Sequence, residues 1–326
     1  MILTVQLNCP SLMQQLNNES QNISGVRFNR YFSSSLFGVS SCLKTTLATA
    51  FRLLDLSEGD KICIPNICPE IILDCIFALS IEPVFIESER LTWNMCPEFL
   101  ADALSRFNTE MRPKAILVCH HMGMPAQIDK IKQISVQFNL PLIEESSQAL
   151  GSYLDMNQCG TNGDLGIVRY PFSHYHEPYY AVNSRHPEYI NRLTQQLEEI
   201  KEGSPEVFTV KQIVNHIKKS RSLHELLKTV LLAAHKLEIL DETSHSFSNK
   251  EVFAAMLHQD STIEEIFQAL PLLRDMVKTF PLPNHLKYPA LTYSGDHFSE
   301  EIHLRGFYIQ LPDLRKEDIE RLISFT

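Results

Sequence analysis

The stretch "KAILVCHHMGMPAQIDKIKQISVQFNLPLIEES", residues 114–146, decides the fold. It opens on a short apolar run, "KAILVCHH", of strand length. A turn at "MGMP" follows. "QIDKIKQISVQFN" then sets Ile128, Ile131 and Ile134 on one face of a helix. "LPLIEES" closes the stretch with a second apolar run. Strand, helix, strand at this spacing is a βαβ unit, whose two strands run parallel because the helix carries the chain back.

The same rhythm continues on either side. Upstream, "CLKTTLATAFRLLDL" is helical and stops at the turn "SEGD". "KICIPN" is a strand, "EIILDCIFALS" a helix, "EPVFIES" a strand, and "PEFLADALSRFN" a helix with proline in its first turn. Downstream, "LGIVRY" is one more strand. The alternation predicts an α/β fold, a mainly parallel sheet flanked by helices. Working groups in such sheets sit at the carboxyl ends of the strands. Here those ends carry "PNICPE", "HHMGMP", "EESSQ" and "YPFSHYH", so the four loops are expected to meet at one crevice. From about residue 204 the pattern changes. "VKQIVNHIKKS", "LHELLKTVLLAAHKLEIL", "NKEVFAAMLHQ" and "IEEIFQALPLLRDMVKTF" read as helices. The chain ends on a strand, a turn and a helix capped near Asp313. The reading divides the chain into a large domain, residues 1–190, and a smaller α+β or helical domain, residues 191–326.

Composition removes several classes of function. Lys and Arg number 29 against 39 Asp and Glu, a net charge of −10, with no basic stripe to neutralise phosphates, so nucleic acid is not expected as a partner. No apolar run reaches about 18 residues, so no membrane span is expected. The eight cysteines form no C-x-x-C pair and read as reduced core residues, and the N-terminus has no basic leader region, so the expected location is the cytoplasm. Cys63, Cys68 and Cys75 fit no zinc-knuckle spacing.

Six short motifs in order resemble the DegT/StrS-type nucleotide-sugar aminotransferases. They are "EGDKICIPN" (58–66), "EPVFIESE" (82–89), "VCHHMGMPAQIDKI" (118–131), "LPLIEESSQALGSY" (140–153), "GDLGIVRY" (163–170) and "YIQLPDLRKEDIERLISF" (308–325). The resemblance implies the fold type I architecture, pyridoxal phosphate (PLP) as cofactor, a nucleotide sugar as ligand and a homodimer. "LLKTVLLAAHKL" is a candidate contact helix, with ordinary core as the alternative.

Carried over residue by residue, the resemblance finds every cofactor group altered. The Schiff-base lysine falls on His174 counting from Gly163-Asp164, or near Phe172 counting back from "AVNSRHPE", and no lysine occurs between Lys132 and Lys201. The carboxylate for the ring nitrogen is Glu145 in place of Asp, with Gln148 matching the family Gln. The phosphate loop reads Cys42-Leu43-Lys44 in place of Ser-Gly-Thr, and a leucine there hinders close approach of backbone to phosphate. Lys44 and Arg169 are the candidate compensating charges, and Pro69 stands where the family stacks an aromatic ring. Scaffold motifs survive while site residues change, which points to a degenerate enzyme, a pseudoenzyme. Two alternatives stay open. One is a PLP-dependent dehydratase or aminotransferase using His174. The other is a metal or ligand protein built on His120, His121, Glu145, His174 and His176, against which stands the commoner case of a histidine merely hydrogen-bonded at a strand end. No G-x-S-x-G elbow surrounds Ser146 or Ser147, which argues against a serine nucleophile.

Overall fold

The computed structural model describes residues 2–3, 35–40, 42–155, 157–170, 179–197, 210–234, 237–243, 245–269, 271–311 and 314. The principal sheet has nine strands. In chain order they are β1 (Ile2–Leu3), β2 (Ser35–Ser40), β3 (Lys61–Pro65), β4 (Glu82–Ile86), β5 (Ala115–Cys119), β6 (Leu142–Ser146), β9 (Leu165–Tyr170), β10 (Tyr179–Ser184) and β15 (Tyr293–Ser294). Their spatial order is β1-β2-β10-β9-β6-β5-β3-β4-β15. The pairings from β9 through β15 are parallel, and β10, β2 and β1 pair antiparallel at the other side. The mainly parallel sheet expected from the alternation is what forms. β15 comes from beyond residue 191, so the chain returns to this sheet late.

Helices cover both faces. α1 (Leu43–Leu53) and α2 (Glu70–Ala78) pack on one, and α3 (Pro97–Arg106) and α4 (Ile128–Phe138) on the other. α4 shows why the sequence folds this way. Ile128, Ile131 and Ile134 are buried along one stripe, and Asn139 ends the helix in the left-handed region at φ 53°. α5 (Pro187–Leu197) is tied to the end of α1 by Arg192, which donates to the carbonyls of Leu53 and Arg52 and pairs with Asp55.

The strands divide their side chains between two cores. Ile116, Val118 and Leu142 pack toward α3 and α4, while Leu117, Cys119, Ile143 and Ile167 pack toward α1 and α2. Because side chains alternate along a strand, neighbouring residues at the end of β6 must face opposite ways. That alternation positions the site described below. At Gly166 a Cβ would run into the carbonyl of Gly160, so the turn before β9 can lie flat on the strand only over a glycine.

Beyond α5 lies a second core. α6 (Val210–Ala234) is one 25-residue helix, where the sequence suggested two. A four-stranded antiparallel sheet packs beneath it, in the order β11 (Leu237–Ile239), β13 (Val252–Leu257), β16 (Gly306–Gln310), β14 (Lys278–Thr279). "NKEVFAAMLHQ", read above as a helix, is β13. All six of its residues are buried, and a continuous apolar run of that length has no periodicity to separate strand from helix. Leu223, Leu227, Val230 and Leu231 of α6 bury against Phe253, Phe307 and Ile309, while Leu232 of the candidate contact stretch is exposed. Short strands β7 (Tyr153–Leu154) and β8 (Asn157–Gln158) pair with β12 (Ser246–Phe247). α7 (Ile263–Ala269), α8 (Asn284–Lys287) and α9 (Phe298–Arg305) complete the described helices. The final helix expected from Asp313 onward lies outside the described residues, and no described helix is long and apolar enough to cross a membrane.

Candidate active-site crevice

Glu144 and Glu145 stand side by side at the carboxyl end of β6 and are both buried, yet they belong to different sites. Glu144 faces the α3–α4 side. Its carboxylate accepts from His120 Nε2 at 2.9 Å, from Gly160 N at 2.9 Å, and from the backbone N–H groups of Asn162 and Gly163. His120 Nδ1 accepts from Ala126 N at 3.0 Å, which fixes the tautomer with its proton on Nε2, toward Glu144. Burial would raise the Glu144 carboxyl, but His120 and these backbone donors outweigh it and hold it below the usual range. This is a structural knot that fastens the turn at residues 160–163 to the sheet.

Glu145 faces the α1–α2 side. Its Oε1 accepts from Ser147 N at 2.9 Å. Burial pushes its carboxyl up, and Ser147, His120 and Arg169 offset only part of that rise. Glu145 lies in register with Ile167 of β9, so Arg169, two residues further on, shares its face. Tyr180 of β10 pairs directly with Arg169, and Ser40 of β2 pairs with Tyr180. The row Arg169, Tyr180, Ser40 therefore runs across three strands toward the start of α1. Arg169 Nε is buried and has no hydrogen-bond partner. Burial pushes the Tyr180 phenol up, with Arg169 opposing. Cys42 is the N-cap residue of α1 and is exposed. The Thr45 backbone N–H holds its thiol below the usual range. Lys44, in the first turn, is exposed. Cys68, from the loop after β3, lies near enough to Glu145 to feel its charge, and burial pushes its thiol up to about 12.

The candidate residues thus separate. Glu145 and Arg169 share one face near the N-terminus of α1, where Lys44 stands. The Gln148 side chain is engaged elsewhere, its Oε1 accepting from Met122 N at 3.0 Å. His174 and His176 lie outside the described residues. His120, His121 and Glu145 form no joint metal set. His120 turns to Glu144, and the His121 ring lies against Phe280, where burial lowers it to about 4 and leaves both ring nitrogens unpaired. Strand alternation separates the histidine partners, since the carboxylate that meets His120 is one residue before the expected one. Tyr180 was missed as a site residue. Its register opposite Arg169 depends on a hairpin whose length the sequence leaves open.

A mainly parallel sheet with helices on both faces, carrying Glu145 and Arg169 near the carboxyl ends of its strands, is the fold type I architecture seen in aminotransferases. Residues 27–175, somewhat under half of the chain, match the model of the DegT/DnrJ/EryC1/StrS aminotransferase family. A pyridoxal phosphate-dependent aminotransferase named EpsN, from Bacillus subtilis, is 33% identical over 122 residues, which are 37% of this chain and 31% of that protein. The match thus spans about a third of the curated relative. Among solved structures, a DegT DnrJ EryC1 StrS aminotransferase from Brucella abortus superposes with a TM-score of 0.73 at 17% identity, covering 98% of this chain and 90% of its own. The E. coli GDP-4-keto-6-deoxy-D-mannose-3-dehydratase with bound hydrated PLP superposes with a TM-score of 0.69 at 17% identity, covering 100% and 99%.

Proposed function

We propose that this chain is a nucleotide-sugar aminotransferase-like protein that has kept the family scaffold and lost ordinary transaminase chemistry. One observation carries the reading: no lysine occurs between Lys132 and Lys201, the stretch in which the resemblance requires the Schiff-base amine. The orphaned Arg169 Nε beside a buried carboxyl fits a ligand carrying both phosphate and a ring nitrogen. PLP held without a covalent bond meets that description. Glu145 would face the ring nitrogen, and Arg169 and Lys44 would face the phosphate. The group, when bound, supplies an electron sink for carbanion chemistry. Glu145 is a weaker partner for a protonated ring nitrogen than an ordinary carboxylate, because its burial favours the neutral acid. Leu43 at the start of α1 keeps backbone further from a phosphate than the family glycine would. The nucleotide sugar comes from the relatives, and the cytoplasmic homodimer is an expectation of composition and resemblance.

The test is borohydride reduction of the purified chain with PLP, followed by peptide mass spectrometry. The expected result is a cofactor that absorbs while bound and leaves no pyridoxyl group on any lysine. A stoichiometric adduct on one lysine would overturn the reading. The second reading, a sugar dehydratase with His174 in the lysine's place, draws on the dehydratase among the fold neighbours. It requires a His174→Ala variant to lose a dehydration that the unmodified chain performs.

A further inference from the structure

The segment from α8 to α9 carries a cluster that the crevice does not use. His285 Nε2 lies 3.1 Å from Glu300 Oε1, and His297 Nδ1 lies 2.8 Å from the same oxygen. All three atoms fall within 4.8 Å of one another. We propose that His285 Nε2, His297 Nδ1 and Glu300 Oε1 bind a divalent ion of the zinc class, with water completing the shell.

Two imidazoles and one carboxylate are ligands that zinc accepts. Zinc bonds of about 2.0–2.1 Å set tetrahedral ligand atoms about 3.3 Å apart, so both short contacts need to open by only about half an ångström or less. The burial is graded as an entry path requires. His285 is buried, while the His297 side chain is 62% exposed. Tyr293 stacks on the His285 ring, centroids 4.2 Å apart at 15°, and holds its plane.

The surrounding hydrogen bonds define what binding must change. Asn66 Oδ1 accepts from the His285 backbone N–H at 2.9 Å, so Asn66 Nδ2 donates to His285 Nδ1 at 2.7 Å and to Ser299 Oγ at 2.7 Å. Nε2 therefore carries the His285 proton in the ion-free form and gives it to Glu300. An ion at Nε2 needs that lone pair. The proton moves to Nδ1, the Asn66 carboxamide turns over, and its oxygen accepts the Nδ1–H. That acceptor is the outer partner that metal-bound imidazoles use. The change forfeits the His285 backbone bond and the donation from Asn66 Nδ2 to Ser299 Oγ. His297 shifts its proton in the same sense, from Nδ1 to the solvent-side Nε2. Each imidazole thus changes tautomer on binding the ion.

This mechanism makes Asn66→Asp informative. A carboxylate offers one oxygen to the backbone N–H and the other to Nδ1–H, so the backbone bond is kept and only the donation to Ser299 Oγ is lost, as it is when the unmodified carboxamide turns over. The experiment is calorimetric titration of the full chain with Zn2+, and visible absorption with Co2+, which reports ligand geometry. One ion per chain is expected. His297→Ala and Glu300→Gln should weaken binding by about tenfold or more and abolish the Co2+ bands, while Asn66→Asp should tighten it by about tenfold. His245→Ala, an exposed histidine elsewhere, should change nothing. His297 and Glu300 are partly exposed, and unchanged circular dichroism will show that their variants fold. Zn2+ binding undisturbed in both variants, or no saturable binding in the unmodified chain, overturns the site. Weaker binding in Asn66→Asp, with its fold intact, overturns the tautomer mechanism.

Discussion

At the scale of the residue, one position separates two carboxyls with opposite energetics. Glu144 is stabilised as a carboxylate by four donors, whereas Glu145 is held up by burial with fewer partners. Glu144→Gln replaces an acceptor-only group by one that turns N–H toward N–H. Breaking a buried network of this kind costs about 3–5 kcal/mol. A depressed carboxyl contributes stability above its unfolded pKa and loses it as pH falls, so the Glu144→Gln deficit should be largest at neutral pH and shrink with acid. Glu145 has the other sign. Its folded carboxyl binds a proton more tightly than the unfolded one, so its penalty grows as pH rises through the raised value. Glu145→Gln should be neutral or stabilising by about 1 kcal/mol at neutral pH, with no gain in acid. Urea unfolding of both variants at neutral and acid pH measures the contrast, and two deficits of equal size would refute it. The sequence indicated Glu145 through its match to the family Asp. It was silent on Glu144, because only the turn at residues 160–163, folded back onto the sheet, reveals what that side chain holds.

At the scale of the element, amphipathic helices such as α4 and parallel strands such as β5 were legible, because one buried stripe or one short apolar run admits a single reading. β13 was not, since a strand buried on both faces leaves no alternation. The link between α6 and the strands beneath it was equally hidden, because it is made by charges whose pairing no helical or strand periodicity marks. Asp241 accepts from Lys250 Nζ at 2.6 Å and pairs with Lys228. Burial opposes ionisation of Asp241, but the two lysines overcome it and hold the carboxyl well below the usual range. Its contribution is therefore whole above the ordinary carboxylate range and is lost as pH falls below it. The Asp241 side chain is 36% exposed, so solvent screening limits the effect, and Asp241→Asn should cost about 1 kcal/mol at neutral pH. The thermal midpoints of variant and unmodified chain should converge in acid. A gap that persists at low pH would mean that packing, not charge, ties α6 down.

At the scale of the molecule, the parallel sheet could be read from repeated βαβ units, but its antiparallel flank and the late return of β15 could not. Those pairings join segments far apart in the chain, and nothing local marks them. The same limit applies to the crevice, since Arg169, Tyr180 and Ser40 become a row only once β2 and β10 are in register. That row yields the last prediction, which concerns how a ligand stabilises the whole fold. A ligand that binds only the folded chain adds RT ln(1 + [L]/Kd), about 1.4 kcal/mol at ten times Kd. For a chain of this size that corresponds to a rise of about 2 °C in Tm. If the unpartnered Arg169 Nε is the phosphate partner, PLP should raise Tm by about this amount, and pyridoxal, which lacks the phosphate, should not. Arg169→Gln should remove the rise, measured from the midpoint of the free variant, in which Glu145 has lost the offsetting charge of Arg169. Equal shifts from PLP and pyridoxal would mean that the ring alone is held and that Arg169 plays no part. A rise that survives in Arg169→Gln would move the phosphate to Lys44 and the start of α1.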